Sequence, residues 1–163
     1  MYYCQNNDQS RVKALCDKYG PCYQHPKPNV ISYIQHLPLY KELSISSHKI
    51  LIVHGSPDDP LEGRLYPDTA LPDHCPYSMV LCGHTHYRMV RFHNGTWFIN
   101  PGSLGQPRDG HGFSYCIIDC TETVNVKFHD VFIDTAFLKE RCQKSVGIHH
   151  YSYTALSRIK ERF

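Results

Sequence analysis

Lys49-Ile50-Leu51-Ile52-Val53-His54-Gly55-Ser56-Pro57 and Ser78-Met79-Val80-Leu81-Cys82-Gly83-His84-Thr85-His86 carry one pattern twice: an apolar run that stops at glycine and histidine. Consecutive aliphatic residues bounded by polar ones read as a strand buried on both faces, as in parallel sheets. The C-terminal end of such a strand is where open α/β sheets place ligands. Histidines there are held by the sheet instead of by flexible loops, which a preorganised site needs. A glycine beside each lets the backbone pass close to an ion or a substrate. In an extended segment His84 and His86 share a face and reach one metal cluster. Each histidine singly reads equally well as an ordinary hydrogen-bonded residue. The three together, each after an apolar strand, point to metal.

Outward from these strands, Met89 to His93 and Thr96 to Ile99 form a hairpin turned at Asn94-Gly95, the strongest short-range hairpin signal. Asn100-Pro101-Gly102-Ser103-Leu104-Gly105-Gln106-Pro107-Arg108 is a Gly/Pro loop, and Phe113 to Ile118 and Val124 to Ile133 read as further strands. Upstream, Asp8 to Tyr19 reads as a helix with Val12, Leu15, Cys16 and Tyr19 on one face, ended by Gly20-Pro21. Asn29 caps a short second helix through His36. Asp58 to Pro76 reads as a long ordered loop with room for one helical turn, and Thr135 to Phe163 as helical, broken near Gly147. Strands alternating with helices give an α/β layered sandwich with a mixed sheet at its core.

The chain has 163 residues, which suits a single domain, 1–163. A formal net charge of +2 is too small to indicate nucleic acid or a membrane surface as partner. The basic tail (Arg141, Lys144, Arg158, Lys160, Arg162) reads as a solvated helix face. No apolar run approaches the roughly 18 residues of a membrane span. Eight cysteines lack the close pairs of a structural zinc site. The opening Met1-Tyr2-Tyr3-Cys4 carries no secretory pattern, so a cytoplasmic chain with free thiols is expected.

Val53-His54-Gly55-Ser56-Pro57, Cys82-Gly83-His84-Thr85-His86 and Asn100-Pro101-Gly102-Ser103 resemble the last motifs of the calcineurin-like metallophosphoesterases. Gly105-Gln106-Pro107-Arg108 is similar to the small prokaryotic-type phosphodiesterase branch, which includes the retromer scaffold subunit. The likeness covers roughly Leu37 to Asp119. It implies that His54 and His84 are ligands of a second metal and His86 of a first. It also implies two divalent ions, commonly of the Mn, Fe, Zn or Mg type, and a phosphate-ester substrate. Their chemistry is two-metal hydrolysis of a phosphodiester or phosphomonoester. Arg108 offers a bidentate fork for phosphate, and Asn100 and Ser103 line the pocket on this reading, although the loop also reads simply as a turn.

The family's opening Asp-x-His strand and its Gly-Asp-x-x-Asp motif do not occur ahead of His54 in this sequence. Its third motif, Gly-Asn-His-Asp, resembles Gln5-Asn6-Asn7-Asp8. That alignment makes Asn6 a ligand of the second metal and puts Asn7 at the catalytic position; the other reading has Asn7 and Asp8 capping the first helix. Without a bridging carboxylate, cation repulsion leaves one ion or none in this chain. Expected, then, is a partial four-layer sandwich whose N-terminal strands are missing, with a homo-oligomer or a partner chain completing the sheet. Two functions follow: a metal-dependent phosphoesterase incomplete in this chain, or a non-catalytic protein-interaction scaffold on the same fold.

Overall fold

A computed structural model describes residues 10, 13, 14, 28–147, 150–157 and 159. They fall into two compact units, 39–133 with 159, and the residues up to 38 with 134–157. Asn6 and Asn7 lie outside the described residues. Of the helix expected over 8–19, Ser10, Lys13 and Ala14 are described, and they are helical.

The larger unit is built on a five-stranded mixed sheet. Its strands are β1 (Tyr40–Ile45), β2 (His48–Val53), β3 (Met79–Leu81), β4 (Arg88–His93) and β5 (Thr96–Pro101), in the order β1-β2-β3-β5-β4. β2, β3 and β5 run parallel, in the register Ile52↔Leu81↔Ile99, while β1 and β4 are antiparallel edges. The three parallel strands therefore end together, and that shared end places the site. Asn94 at φ 46° and Gly95 at φ 83° make the turn between β4 and β5, as the Asn-Gly pair predicts.

Both faces of this sheet are covered, which is why β2 and β3 read as unbroken apolar runs. On one face Leu51, Val53, Val80, Cys82, Met89 and Phe98 pack with Leu65, Leu71, Cys75 and Tyr77 from the long loop after β2. That loop holds one α-turn, closed by the Gly63 N–H donating to the Asp59 carbonyl at 3.1 Å. On the other face Ile50, Ile52, Met79, Leu81 and Ile99 meet Cys116, Ile118 and Val126 of a two-stranded sheet. That sheet is formed by β6 (Phe113–Asp119) and β7 (Asn125–Val131), paired antiparallel.

The second unit comprises α1 (Pro28–Gln35), α2 (Thr135–Val146) and α3 (Tyr151–Ser157). Asp134 caps α2 by accepting from the Phe137 N–H, and Gly147, at φ 85°, ends it with its N–H on the Cys142 and Gln143 carbonyls. The break expected at Gly147 is a helix C-cap. Among the described residues no helix is long and apolar enough to cross a membrane, and Cys75, Cys82, Cys116, Cys120 and Cys142 are free thiols.

Candidate metal centre

His54 follows the last residue of β2, and Gly83-His84 follows β3 by one residue. Because the strands are parallel neighbours, the Gly83 N–H donates to the His54 carbonyl at 2.9 Å, continuing the ladder beyond the assigned strands. The His54 and His84 rings then sit 4.8 Å apart between centroids, tilted by 34°.

The backbone after Gly83 is not extended. His84 has φ 60° and His86 φ 63°. The Thr85 N–H turns back onto the Gly83 carbonyl at 2.6 Å, closing a three-residue turn around His84. The expectation that the two histidines share one face of an extended segment is thereby corrected. Left-handed backbone costs an L-residue about 1–2 kcal/mol, and such strain collects at functional sites.

Two backbone carbonyls orient the rings. His84 Nδ1 lies 3.0 Å from the Leu61 carbonyl oxygen, and His86 Nδ1 lies 2.8 Å from that of Gln106. A carbonyl oxygen only accepts, so each Nδ1 carries a proton, and in the neutral ring Nε2 keeps its lone pair. This is the arrangement metal-ligating histidines adopt. The Leu61 carbonyl is set by Asp59, whose carboxylate accepts from the Leu61 and Glu62 N–H groups at 3.2 and 3.0 Å. Neither carbonyl could be singled out from sequence. The Ser56-Pro57-Asp58-Asp59 spacing was the one available signal, and the Asp59 N–H does donate to Ser56 Oγ at 3.1 Å.

Burial biases the His54 and His86 imidazoles toward the neutral form. Desolvation holds His54 below its ordinary value, with His84 and His86 adding like-charge repulsion. Desolvation also lowers His86, opposed by its bond to Gln106 and helped by the charges of Arg108 and His84. Arg108 is exposed, and its backbone N–H donates to the His86 carbonyl at 3.2 Å, so the structure does bring Arg108 beside His86.

In the loop after β5 the side chains make the local bonds of the turn reading. Asn100 is fully buried. Ser103 Oγ accepts from the Gly105 and Gln106 N–H groups at 3.2 and 2.9 Å, the turn role. The space beside Gly55 is filled by protein backbone, not left for an ion: a Cβ there would sit 2.4 Å from the Asp59 carbonyl oxygen.

Residues 6–123 match the family model described as the calcineurin-like phosphoesterase superfamily domain. The chain belongs to this superfamily. An uncharacterized protein of Methanocaldococcus jannaschii, MJ0912, is 33% identical over 107 residues, which are 55% of this chain and 44% of that one. Two solved structures share the phosphoesterase fold. The hypothetical protein PH1004 from Pyrococcus horikoshii OT3 has TM-score 0.68 and 24% identity over 82% of this chain and 56% of its own. A metallophosphoesterase from Sphaerobacter thermophilus has TM-score 0.63 and 23% identity over 83% and 65%. The chain thus spans between 44% and 65% of the length of these relatives. The mixed α/β architecture is the metallophosphoesterase fold.

Phosphoesterases of this superfamily bind divalent metals, and the donor chemistry here fits that: two imidazoles whose Nδ1 is engaged by a backbone carbonyl, which turns Nε2 to the ligand role. The donor count does not. Among the described residues no three His, Cys, Asp or Glu side chains form a group that could hold an ion.

Proposed function

We propose that this chain supplies the histidine side of a two-metal phosphoesterase centre that hydrolyses a phosphodiester or phosphomonoester. One observation carries the reading: His84 and His86 each donate Nδ1–H to a backbone carbonyl, which leaves Nε2 as a metal donor. His54 and His84 serve the second ion and His86 the first, with Asn6 adding an amide oxygen. The ions, when bound, neutralise phosphate charge and lower the pKa of water; imidazole with oxygen donors suits Mn, Fe or Zn. What the chain's own residues do is hold three imidazoles at one end of a parallel sheet and set Arg108 beside His86. Arg108 pairs with substrate phosphate through its planar fork, and Asn7 takes the catalytic role implied by the resemblance of Gln5-Asn6-Asn7-Asp8 to the family's third motif. The carboxylates such a centre requires lie beyond the described residues or on another chain, a second copy included.

The test is metal content together with Mn-dependent hydrolysis of bis(p-nitrophenyl) phosphate, on the chain and on His84→Ala. The expected result is metal-dependent turnover that His84→Ala abolishes. A chain that takes up no metal and turns over nothing sinks the reading and leaves the interaction-scaffold function in its place.

A further inference from the structure

Asn100 is 0% exposed, and its side chain spends its polar atoms on the turn that carries His84. Nδ2 donates to the Gly83 carbonyl at 2.8 Å and to Thr85 Oγ1 at 3.0 Å, which uses both of its protons. Oδ1 accepts from the Gly102 N–H at 3.0 Å. Thr85 is 1% exposed, and its hydroxyl passes the chain on by donating to the Leu65 carbonyl at 3.3 Å. The Gly83 carbonyl therefore receives two donors, Asn100 Nδ2–H and Thr85 N–H, which fills both its lone pairs. A carboxamide in this place does what neither a hydroxyl nor a carboxylate can: it donates twice and accepts once in one plane.

The geometry points to Asn100 as a positioning residue, one that holds the Gly83–Thr85 turn in its left-handed shape and so sets His84 against His54 and His86 against Gln106. This rests on the metal-centre reading for its purpose but not for its geometry. Three segments meet at this one side chain: the His84 turn directly, the loop after β2 through Thr85 and Leu65, and the loop after β5 through Gly102. The second loop also supplies the Leu61 carbonyl to His84 and the third the Gln106 carbonyl to His86. Both anchors of the imidazoles are thus tied to Asn100. A buried residue with every polar atom hydrogen-bonded rigidifies what it touches, and loses that effect when one partner goes.

The experiment compares Asn100→Leu, which keeps the shape and removes the three hydrogen bonds, with the pair Thr85→Val and Thr85→Ser. Two readouts are taken on folded protein. Ring-nitrogen 1H–15N correlation spectra of the metal-free chain report the tautomers of His84 and His86, and calorimetric titration with Mn2+ alone reports affinity. The wild-type chain should show both rings as Nδ1–H tautomers. Asn100→Leu and Thr85→Val should mix the tautomer of His84 and weaken Mn2+ binding by about 10–100-fold, the usual effect of losing an outer partner of a ligand. Thr85→Ser, which keeps the hydroxyl, should restore both. Should Asn100→Leu fail to fold, the valine and serine variants decide alone. Wild-type tautomers in a folded Asn100→Leu or Thr85→Val protein overturn the inference. Failure of the wild-type chain to bind Mn2+, with the tautomers responding as expected, overturns the metal reading and leaves the positioning role standing.

Discussion

His54 and His84 face each other at 4.8 Å because two parallel strands end side by side and the Gly83 N–H reaches the His54 carbonyl. Neither ring is positioned by its own loop. If both donate to one ion, removing either should forfeit most of the affinity that removing both forfeits. Titration of Mn2+ into His54→Ala, His84→Ala and the double variant should give single losses beyond the roughly 10–100-fold of an outer-partner change. The double loss should be little greater than either. Losses that simply add in free energy would place the two histidines at separate sites.

The glycines beside the two histidines are not equivalent. At Gly55 an added Cβ meets the Asp59 carbonyl oxygen at 2.4 Å and the Gly63 nitrogen at 2.8 Å, both backbone atoms that cannot swing aside. At Gly83 the nearest atom is the His54 carbonyl oxygen at 3.5 Å, an ordinary contact. Gly55→Ala should therefore destabilise by about 1–3 kcal/mol, the range of an overpacked site. Gly83→Ala should be neutral or stabilising by up to ~1 kcal/mol through the unfolded chain. Urea melts of the two variants check the contrast, and equal losses would refute the steric assignment.

Much of the fold was legible because burial on both faces leaves a sequence trace. Lys49 to Gly55 and Ser78 to Gly83 are observed as His48–Val53 and Met79–Leu81, and Asn94-Gly95 turns the hairpin it predicts. β1 left almost no trace. In Tyr40-Lys41-Glu42-Leu43-Ser44-Ile45 only Leu43 is even partly buried, and its turn to β2 uses Ser46 at φ 53° with no glycine to mark it. The site divides in the same way. The histidines announce themselves by type and spacing, but the atoms that orient them are the Leu61 and Gln106 carbonyls, and every residue but proline carries the same backbone groups. The left-handed backbone at His84 and His86 was hidden for a related reason: nothing in Gly83-His84-Thr85-His86 marks it, and the Asn100 that bonds to Thr85 lies 15 residues further along the chain.

The neutral imidazoles make stability depend on pH. His54 and His86 titrate below 6.5 in the folded chain, chiefly through desolvation, and at about 6.5 once unfolded. Between those values the unfolded chain binds more protons, so stability rises with pH there and falls as pH drops from 6.5 toward the folded values. Above 6.5 the two groups contribute no slope. The melting temperature of the metal-free chain should decline as the buffer is taken below pH 6.5, and less steeply in His54→Gln or His86→Gln. A slope unchanged by both substitutions would assign the acid sensitivity to other groups.

Asp109 ties the start of β4 to the loop that carries Gln106 and Arg108. Its carboxylate accepts from the Arg88 N–H at 2.9 Å and from the His111 N–H at 2.9 Å, and its side chain is only 7% exposed. The Arg88 guanidinium lies 3.6 Å from Asp109 and 2.8 Å from Asp130, yet Nε and Nη2 make no well-angled hydrogen bond, so these pairs are held by charge. Asp109→Ala strands the Arg88 N–H and leaves the guanidinium to Asp130, a carboxylate 65% exposed. The loss should be about 2–3 kcal/mol, less than the ~3–5 of a fully buried pair because one partner remains. Asp109→Asn keeps one acceptor oxygen, which serves the buried Arg88 N–H, and gives up the charge and the bond from the exposed His111 N–H, so it should cost less than Asp109→Ala. Chemical denaturation separates the two contributions. Equal losses from both substitutions would mean that the charge alone matters, and that the hydrogen bond to the β4 backbone contributes nothing to holding this loop beside His86.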